Sequence, residues 1–395
     1  MAAAAPLAAD GRTRLHDAAR PRIGVVAAVH PLTGGAAQFN TALVSALREL
    51  AEVDVVSWRR LYPPLLYRGQ ERDERSRPPR REPAAFLLDW HRPRSWSEGL
   101  RRLAGFGAEA VVLPWLHPVS APPSRWLLRH AAGMRRVVVC HNVVPHERVP
   151  GGALLTRATL RHADLLVTHA PHQRDELAAL GLGDTPVLEA FHPRFVADDL
   201  APAPAPAAVA EERRRLGDPG LLLVFFGAVR PYKGLDLALE ALAQLDPALG
   251  ARLVVAGRFW EERNRYDRLA ERLGIADRLD IRDGYVTNED AALLLSSADG
   301  VVLPYRSATQ SGVAQLAFAY GAPVVATRVG GLPAAVAHGR TGLLCPAGNA
   351  FALARALERL AAERDRLAAG VRAEADAWSF RRYAELLLDA AGRLP

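Results

Sequence analysis

The sequence predicts an α/β protein built from two doubly wound domains that face each other across a cleft. Three observations carry this. The chain has 395 residues, more than one ordinary core holds and suited to two domains of about 150 to 200 residues. Short apolar runs alternate with helix-length segments along the chain, the pattern of parallel sheets made of βαβ units. At mid-chain a Pro/Ala stretch, DDLAPAPAPAAVAEERRR, interrupts the alternation. Such a segment is stiff and cannot join a sheet.

In the first half RIGVVAAV, VDVVSW, AFLLDW, AEAVVLPW, RRVVVC and ADLLVTH read as strands. After the Pro/Ala stretch the alternation restarts with GLLLVFFG, ARLVVAG, DRLDIRDG, ADGVVLPY, APVVATR and TGLLCP. Helical segments such as GLDLALEALAQL and EDAALLLSSA lie between them, and DAWSFRRYAELLLDAA near the end has apolar residues at helical spacing. The expected division is a disordered tail over 1–20, a domain over 21–195, a linker over 196–215, a second domain over 216–371 and a closing helical segment over 372–395.

The composition is that of a soluble globular protein, half hydrophobic with a net charge of +7. The start, MAAAAPLAADGRTR, has neither the charged nor the sustained apolar part of a signal peptide, and no run of 18 apolar residues follows. A cytoplasmic protein is expected. Cys140 and Cys345 lie far apart without metal-ligand spacing, so they read as packing residues and no metal site is expected. Residues 58–102 hold twelve arginines against six acids. Arginines interleaved with Trp58, Tyr62, Leu65, Leu66 and Tyr67 suit peripheral contact of residues 58–81 with anionic lipid, or else form an arginine-rich surface loop. No nucleic-acid motif accompanies the charge.

Ligands of doubly wound sheets bind beyond the carboxyl ends of strands, so the loops after strands are the places to search. In AAVHPLTGGAAQFN, Gly34 and Gly35 precede a helix and let the backbone approach a ligand oxygen. In VVVCHNVVPHE, His141 follows a buried strand and is aimed at the cleft, while His146 and Glu147 read as structural. In VFFGAVRPYKGLDLALEAL, Arg230 and Lys233 stand between a strand end and a helix start, where a diphosphate finds a guanidinium fork and a point charge. The fourth loop opens SATQSGVAQLAFAYGAPVV, residues 307–325, which contain no acid at all. The Thr309 and Ser311 hydroxyls and the amides of Ser311, Gly312 and Val313 are neutral donors that suit phosphate. The helical face of Val313, Leu316, Ala317 and Tyr320 reads as core.

These motifs together resemble family 4 glycosyltransferases of the GT-B fold. FFGAVRPYKGLDLALEAL and ADGVVLPYRSATQSGVAQLAFAYGAPVVATRVGGLPAAVAHGRTGLLCP carry the resemblance, supported by HPLTGGAAQFN, CHNVVPHE and WSFRRYAELLLD. It covers residues 21–393 and implies a retaining transfer of a UDP- or GDP-linked sugar to an acceptor hydroxyl, without metal or cofactor. It also implies an acceptor-binding first domain, a nucleotide-sugar-binding second domain, and a closing helix that crosses back to the first. Arg230 and Lys233 would hold the pyrophosphate, Gly34 and Gly35 would form the glycine loop, His141 would lie beside the reacting sugar, and Tyr285 and Val286 would meet the base. Many members carry two glutamates eight residues apart, for the sugar and the ribose. Those positions fall on Ala308 and Leu316 here. Gln310 and Gln315 are the nearest replacements, with the amides of residues 309–313 next. The rival readings are a non-catalytic GT-B nucleotide-binding or scaffold protein, an epimerase, which needs cleft carboxylates, and a dehydrogenase, which needs the absent G-x-G-x-x-G.

Overall fold

The expected valine- and leucine-rich runs form strands of two all-parallel sheets. The computed structural model describes residues 20–61, 72, 82–144, 150–195, 201–308, 311–374 and 376–394. Thr309, Gln310, His146, Glu147, the tail over 1–19 and nearly all of the expected lipid-contacting segment lie outside these. In the first domain the strands are β1 (Arg22–Val26), β2 (Glu52–Arg60), β3 (Ala85–Asp89), β4 (Ala110–Trp115), β5 (Arg135–Cys140), β6 (Leu165–Thr168) and β7 (Val187–Glu189). Their order is β3-β2-β1-β4-β5-β6-β7, covered by α1 (Gly35–Leu50), α2 (Pro93–Phe106), α3 (Ala121–His130), α4 (Gly152–Leu160) and α5 (Pro171–Ala179).

The second domain has β8 (Leu221–Phe226), β9 (Ala251–Ala256), β10 (Leu279–Arg282), β11 (Gly300–Leu303), β12 (Val324–Thr327) and β13 (Gly342–Cys345), in the order β10-β9-β8-β11-β12-β13. Its helices are α6 (Pro206–Arg215), α7 (Leu235–Ala243), α8 (Asn264–Arg272), α9 (Asn288–Ser297), α10 (Gly312–Ala319), α11 (Leu332–Ala335) and α12 (Ala350–Ala373), and the chain closes with α13 (Phe380–Gly392). Helices on both faces explain why the strands are continuous apolar runs rather than alternating ones: in β8 the side chains from Leu221 to Phe225 are all buried. The strand order reverses between β1 and β4 and between β8 and β11. At such switch points neighbouring loops diverge and leave a crevice, and the two crevices face each other.

Two segments differ from a reading by apolar runs. β7 is three residues long and nowhere fully buried, an edge strand too short to announce itself. Pro206–Arg215 of the expected linker form α6, which is part of the second domain's wall. Its Glu212 is buried, accepting bonds from Arg215 Nε at 3.0 Å and Arg282 Nη2 at 2.6 Å, and Arg213 Nη1 lies 3.2 Å from Asp299. Proline at the first helical turn costs no hydrogen bond, so the Pro/Ala repeat ends by starting a helix.

The C-terminal helix packs on the first domain. In α13 Phe380, Tyr383, Ala384, Leu387 and Ala391 are buried at helical spacing, and the Ser379 hydroxyl accepts a bond from the Arg382 amide. Phe380 meets Phe39 of α1 edge-on at 5.2 Å, and Arg381 reaches Glu49 at 2.9 Å. Arg194, at the end of the first domain, is 4% exposed. It pairs with Glu374 at 3.1 Å and lies 4.4 Å from the ring of Phe318 in α10. Burial lowers the pKa of this guanidinium and the Glu374 carboxylate opposes that. Removing one partner of such a pair leaves a charge buried alone, which costs about 3–5 kcal/mol. Glu374→Ala should therefore lower the unfolding free energy by about that much in guanidinium titration, while an exposed pair such as Arg393–Asp389 should be removable for under about 1 kcal/mol.

Candidate functional site

Between the two switch points lies a cleft of about 520 Å³. The loop after β1 and the start of α1 contribute Thr33, Gly34, Gly35, Gln38 and Phe39, and the loops after β4 and β5 contribute Leu116, His141 and Asn142. From the second domain come Gly227, Tyr232 and Lys233 after β8, Arg258 and Trp260 after β9, Tyr285 and Val286 after β10, and Gly312, Val313 and Leu316 at the start of α10.

Gly34 has φ 107° and leads into α1, with no side chain capping the helix start. The first amides of a helix have no intrahelical acceptors, so this end offers donors and the positive pole of the helix to the cleft. Opposite it, α10 begins with the buried Ser311, whose hydroxyl accepts from the Ala314 amide at 3.3 Å. Gly227 has φ +93°, and a Cβ there would stand 3.2 Å from Lys233 Nζ and 3.5 Å from Val313 Cγ2. Glycine at this point keeps the space between the ammonium and the helix start open.

Lys233 is 8% exposed. Burial, and then the neighbouring Arg230 charge, bring its pKa down to about 8. An ammonium in this setting gains more from an incoming anion than one in water does. Arg230 is set back from the cleft lining, with its guanidinium 4.3 Å from the ring of Trp260, which does line it.

His141 is fixed at the end of β5 by its amide, bonded to the Trp115 carbonyl at 3.0 Å, and by its own carbonyl, which accepts from Gln173 Nε2 at 3.2 Å. Its ring meets Phe39 edge-on at 4.6 Å. Burial, and secondarily His192, push its pKa down to about 3. The imidazole is therefore neutral at ordinary pH, a hydrogen-bonding group rather than a proton donor of cationic type. Among the described residues its Nε2 has no hydrogen-bond partner, and an unmatched buried polar atom costs about 1–3 kcal/mol.

Of the residues singled out from the sequence, the structure brings Gly34, Gly35, His141, Lys233, Tyr285, Val286, Gly312 and Val313 to the one cleft. Ser311 adjoins it as the cap of α10. Gln315 is 2% exposed and does not line the cleft, and its Oε1 is buried without a partner among the described residues. Gln315 and Ala314 are both buried on the side of this short helix turned away from the cleft. Ala308 and Leu316 are both buried, and only Leu316 reaches the cleft. Val313 and Tyr320, expected as core, are partly buried. Reasoning from the sequence missed Arg258, Trp260, His192, and the pair Gln38–Asn288, whose side chains bond across the cleft at 2.8 Å. Arg258 and Trp260 were accessible to the strand-end rule, since they follow β9 directly. The Gln38–Asn288 bond joins residues 250 apart, and no local pattern announces it.

A D-inositol 3-phosphate glycosyltransferase from Streptomyces scabiei is 31% identical over 397 residues, covering 89% of this chain and 85% of that protein. The chain belongs to the group 1, or family 4, glycosyltransferases. Residues 220–363 match the family described as Glycosyl transferases group 1. A second enzyme of the same name, from Streptomyces bingchenggensis, is 34% identical over 230 residues, 55% of this chain and 49% of that one. The chain spans about half the length of several such curated relatives, in the matched regions. Among solved structures, sucrose-phosphate synthase from Thermosynechococcus elongatus superposes with a TM-score of 0.71 at 20% identity, over 95% of this chain and 99% of that chain. Anabaena HepE in complex with UDP-glucose gives 0.70 at 16% identity, over 93% and 99%. The fold, two Rossmann-like domains in the GT-B arrangement, is the one that the alternation of strands and helices predicted and the resemblance implied.

The histidines around the cleft generate a prediction. His141 and His192 both have lowered pKa values, about 3 and about 4, chiefly through burial, and His169 is lowered in the same direction. As pH falls below about 6.5 the unfolded chain takes up protons that the folded chain refuses. Stability should therefore be full well above pH 6.5 and decline toward pH 4, by on the order of 2 kcal/mol for each of His141 and His192. Denaturant midpoints at pH 7.5 and 4.5 check this, and His192→Gln should flatten the decline.

Proposed function

We propose that this chain transfers a sugar from a nucleotide-sugar to an acceptor hydroxyl, with retention of anomeric configuration. The observation that supports it most is the placement of the buried Lys233 ammonium, beside the glycine-floored space at Gly227 and the start of α10, across the cleft from the α1 start and His141. A diphosphate leaving group needs cations and unpaired amides at one place, and an uncharged hydrogen-bonding group beside the sugar. A UDP-linked donor is the favoured form, since a structure of the same fold holds UDP-glucose.

Charge developing on the departing diphosphate is stabilised by Lys233, by Arg230 behind it and by the amides at Gly312 and Val313, a preorganised electrostatic contribution. His141 Nε2 finds its missing partner in a sugar hydroxyl, and Tyr285 and Val286 flank the base. The cleft lining contains no carboxylate among the described residues, so a glycosidase-like nucleophile is not part of this reading. The acceptor oxygen instead attacks the face from which the diphosphate leaves. The new carbon–oxygen bond forms as the old one breaks, and the proton passes to a diphosphate oxygen. Closure across the Gln38–Asn288 bond keeps water from the donor.

Thermal stability with UDP, GDP, ADP and dTDP tests donor binding first. Ligand at about 100 times its dissociation constant should stabilise by roughly 2.7 kcal/mol, and one nucleotide should do so clearly better than the rest. Lys233→Ala removes a charged hydrogen bond of about 1.5–3 kcal/mol, so nucleotide affinity should fall about 10- to 100-fold and transfer should nearly vanish. Near-normal turnover in Lys233→Ala refutes the assignment. Nucleotide binding without transfer to any acceptor points instead to the non-catalytic reading, which the apolar Leu316 at the expected ribose position favours.

The lowered Lys233 pKa adds a second test. An anion raises the pKa of the ammonium it binds, so nucleotide binding near pH 8 takes up a proton. Affinity should be level below pH 7 and fall as pH rises through about 8. Calorimetry at pH 8 in two buffers of different ionisation enthalpy should show that uptake, and Lys233→Met should abolish it.

A further inference from the structure

One face of the first domain combines unpaired positive charge with exposed apolar side chains. From residue 110 to residue 163 the sequence holds seven arginines and one acid. Arg125 and Arg129 lie on α3, Arg157 lies on α4, and Arg161 follows it directly; the two helices pack side by side. Many of the protein's other arginines pair with acids, among them Arg102 with Asp54 and Arg215 with Glu212, and within this stretch Arg136 pairs with Asp164. Among the described residues none of Arg125, Arg129, Arg157 and Arg161 has a carboxylate partner. They crowd His162, whose pKa is lowered by burial and then by the charges of Arg161, Arg125, Arg129 and Arg136. Arg125 Nε and His162 Nε2 are themselves buried without partners.

The apolar component is as localised as the charge. Five large hydrophobic side chains are exposed among the described residues, and three belong here: Leu154 at 73%, Leu155 at 43% and Val144 at 46%. Thr156, Thr159 and Leu160 face inward, so α4 turns Leu154, Leu155 and Arg157 to the outside. Because α4 follows β5, its start lies on the cleft side of the domain and its end on the far side. The leucines thus sit toward the cleft mouth, and Val144 is three residues beyond the cleft residue His141.

An arginine cluster alone is a solvated face, and one exposed leucine is ordinary. Unpaired guanidiniums spread over two helices beside adjacent exposed leucines match a layer that offers phosphates at any position and hydrocarbon just beneath them. We propose that the α3–α4 face of the first domain docks on an anionic phospholipid bilayer, with Leu154, Leu155 and Val144 entering the headgroup layer and Arg125, Arg129, Arg157 and Arg161 meeting lipid phosphates. Docking in this way sets the mouth of the cleft beside the membrane surface.

Flotation of the full chain with phosphatidylcholine vesicles, with and without phosphatidylglycerol, tests the proposal. Wild type should float only with the anionic vesicles, and less as salt is raised. Arg157→Glu with Arg161→Glu should lower the partition coefficient about tenfold or more, and Leu154→Ser with Leu155→Ser should lower it at all salt concentrations. These side chains are exposed, so both variants should keep the wild-type melting temperature and the wild-type response to UDP. Equal flotation with neutral and anionic vesicles overturns the proposal. So does undiminished anionic binding by both variants, which would place the contact on another basic segment, or binding to soluble polyanions or acidic proteins with no flotation at all.

Discussion

The ring of Phe39 is the contact on which the arrangement of the two domains depends. It belongs to α1, the helix whose start faces the cleft, yet it meets Phe380 at 5.2 Å and Tyr383 at 5.8 Å, both on the C-terminal helix. On its other sides lie His141 at 4.6 Å and His192 at 5.3 Å. Edge-to-face aromatic pairs contribute about 0.5–1.5 kcal/mol each beyond the area they bury, and they fix angles that aliphatic packing leaves looser. The same ring therefore orients a cleft histidine and holds the helix that ties the end of the chain to its first domain. Tyr383 extends the tie through its hydroxyl, 2.9 Å from His169 Nε2.

This has an electrostatic consequence. Three imidazoles packed around a phenyl ring are kept out of water and neutral, so the first-domain side of the cleft carries hydrogen-bonding groups and little charge among its described residues. The cations that line the cleft, Lys233 and Arg258, come from the second domain. A nucleotide-sugar is just as asymmetric, with a doubly charged diphosphate at its middle and an uncharged sugar at one end. The division of charge between the domains is complementary to the asymmetry of such a ligand.

The fold was legible in the sequence because parallel strands buried on both faces leave nearly unbroken apolar runs, and twelve of these were plain to see. β7 was not, since an edge strand of three residues, none of them fully buried, leaves no such run. α6 was hidden by its own start: proline and alanine read as linker until Glu212, Arg213 and Arg215 are seen to hold it to the second domain. The site was legible to the extent that it lies at strand ends, which is how Gly34, His141, Lys233 and Gly312 could be picked out. The side chains that meet only through tertiary closure, Gln38 with Asn288 and His141 with His192, share no local spacing.

The missing carboxylates of the fourth loop take on a structural meaning in this setting. Ala308 is buried, and Gly330 packs so closely on its carbonyl that a Cβ on Gly330 would overlap the oxygen. Leu316 belongs to the apolar cluster that continues into Phe318, and Phe318 lies under the Arg194 guanidinium. A glutamate at 316 would place a carboxylate among the apolar residues of that cluster, where its desolvation is costly. The polar side chains on the open walls of the cleft include Arg258 and Asn288, which line it together with Tyr285 and Val286.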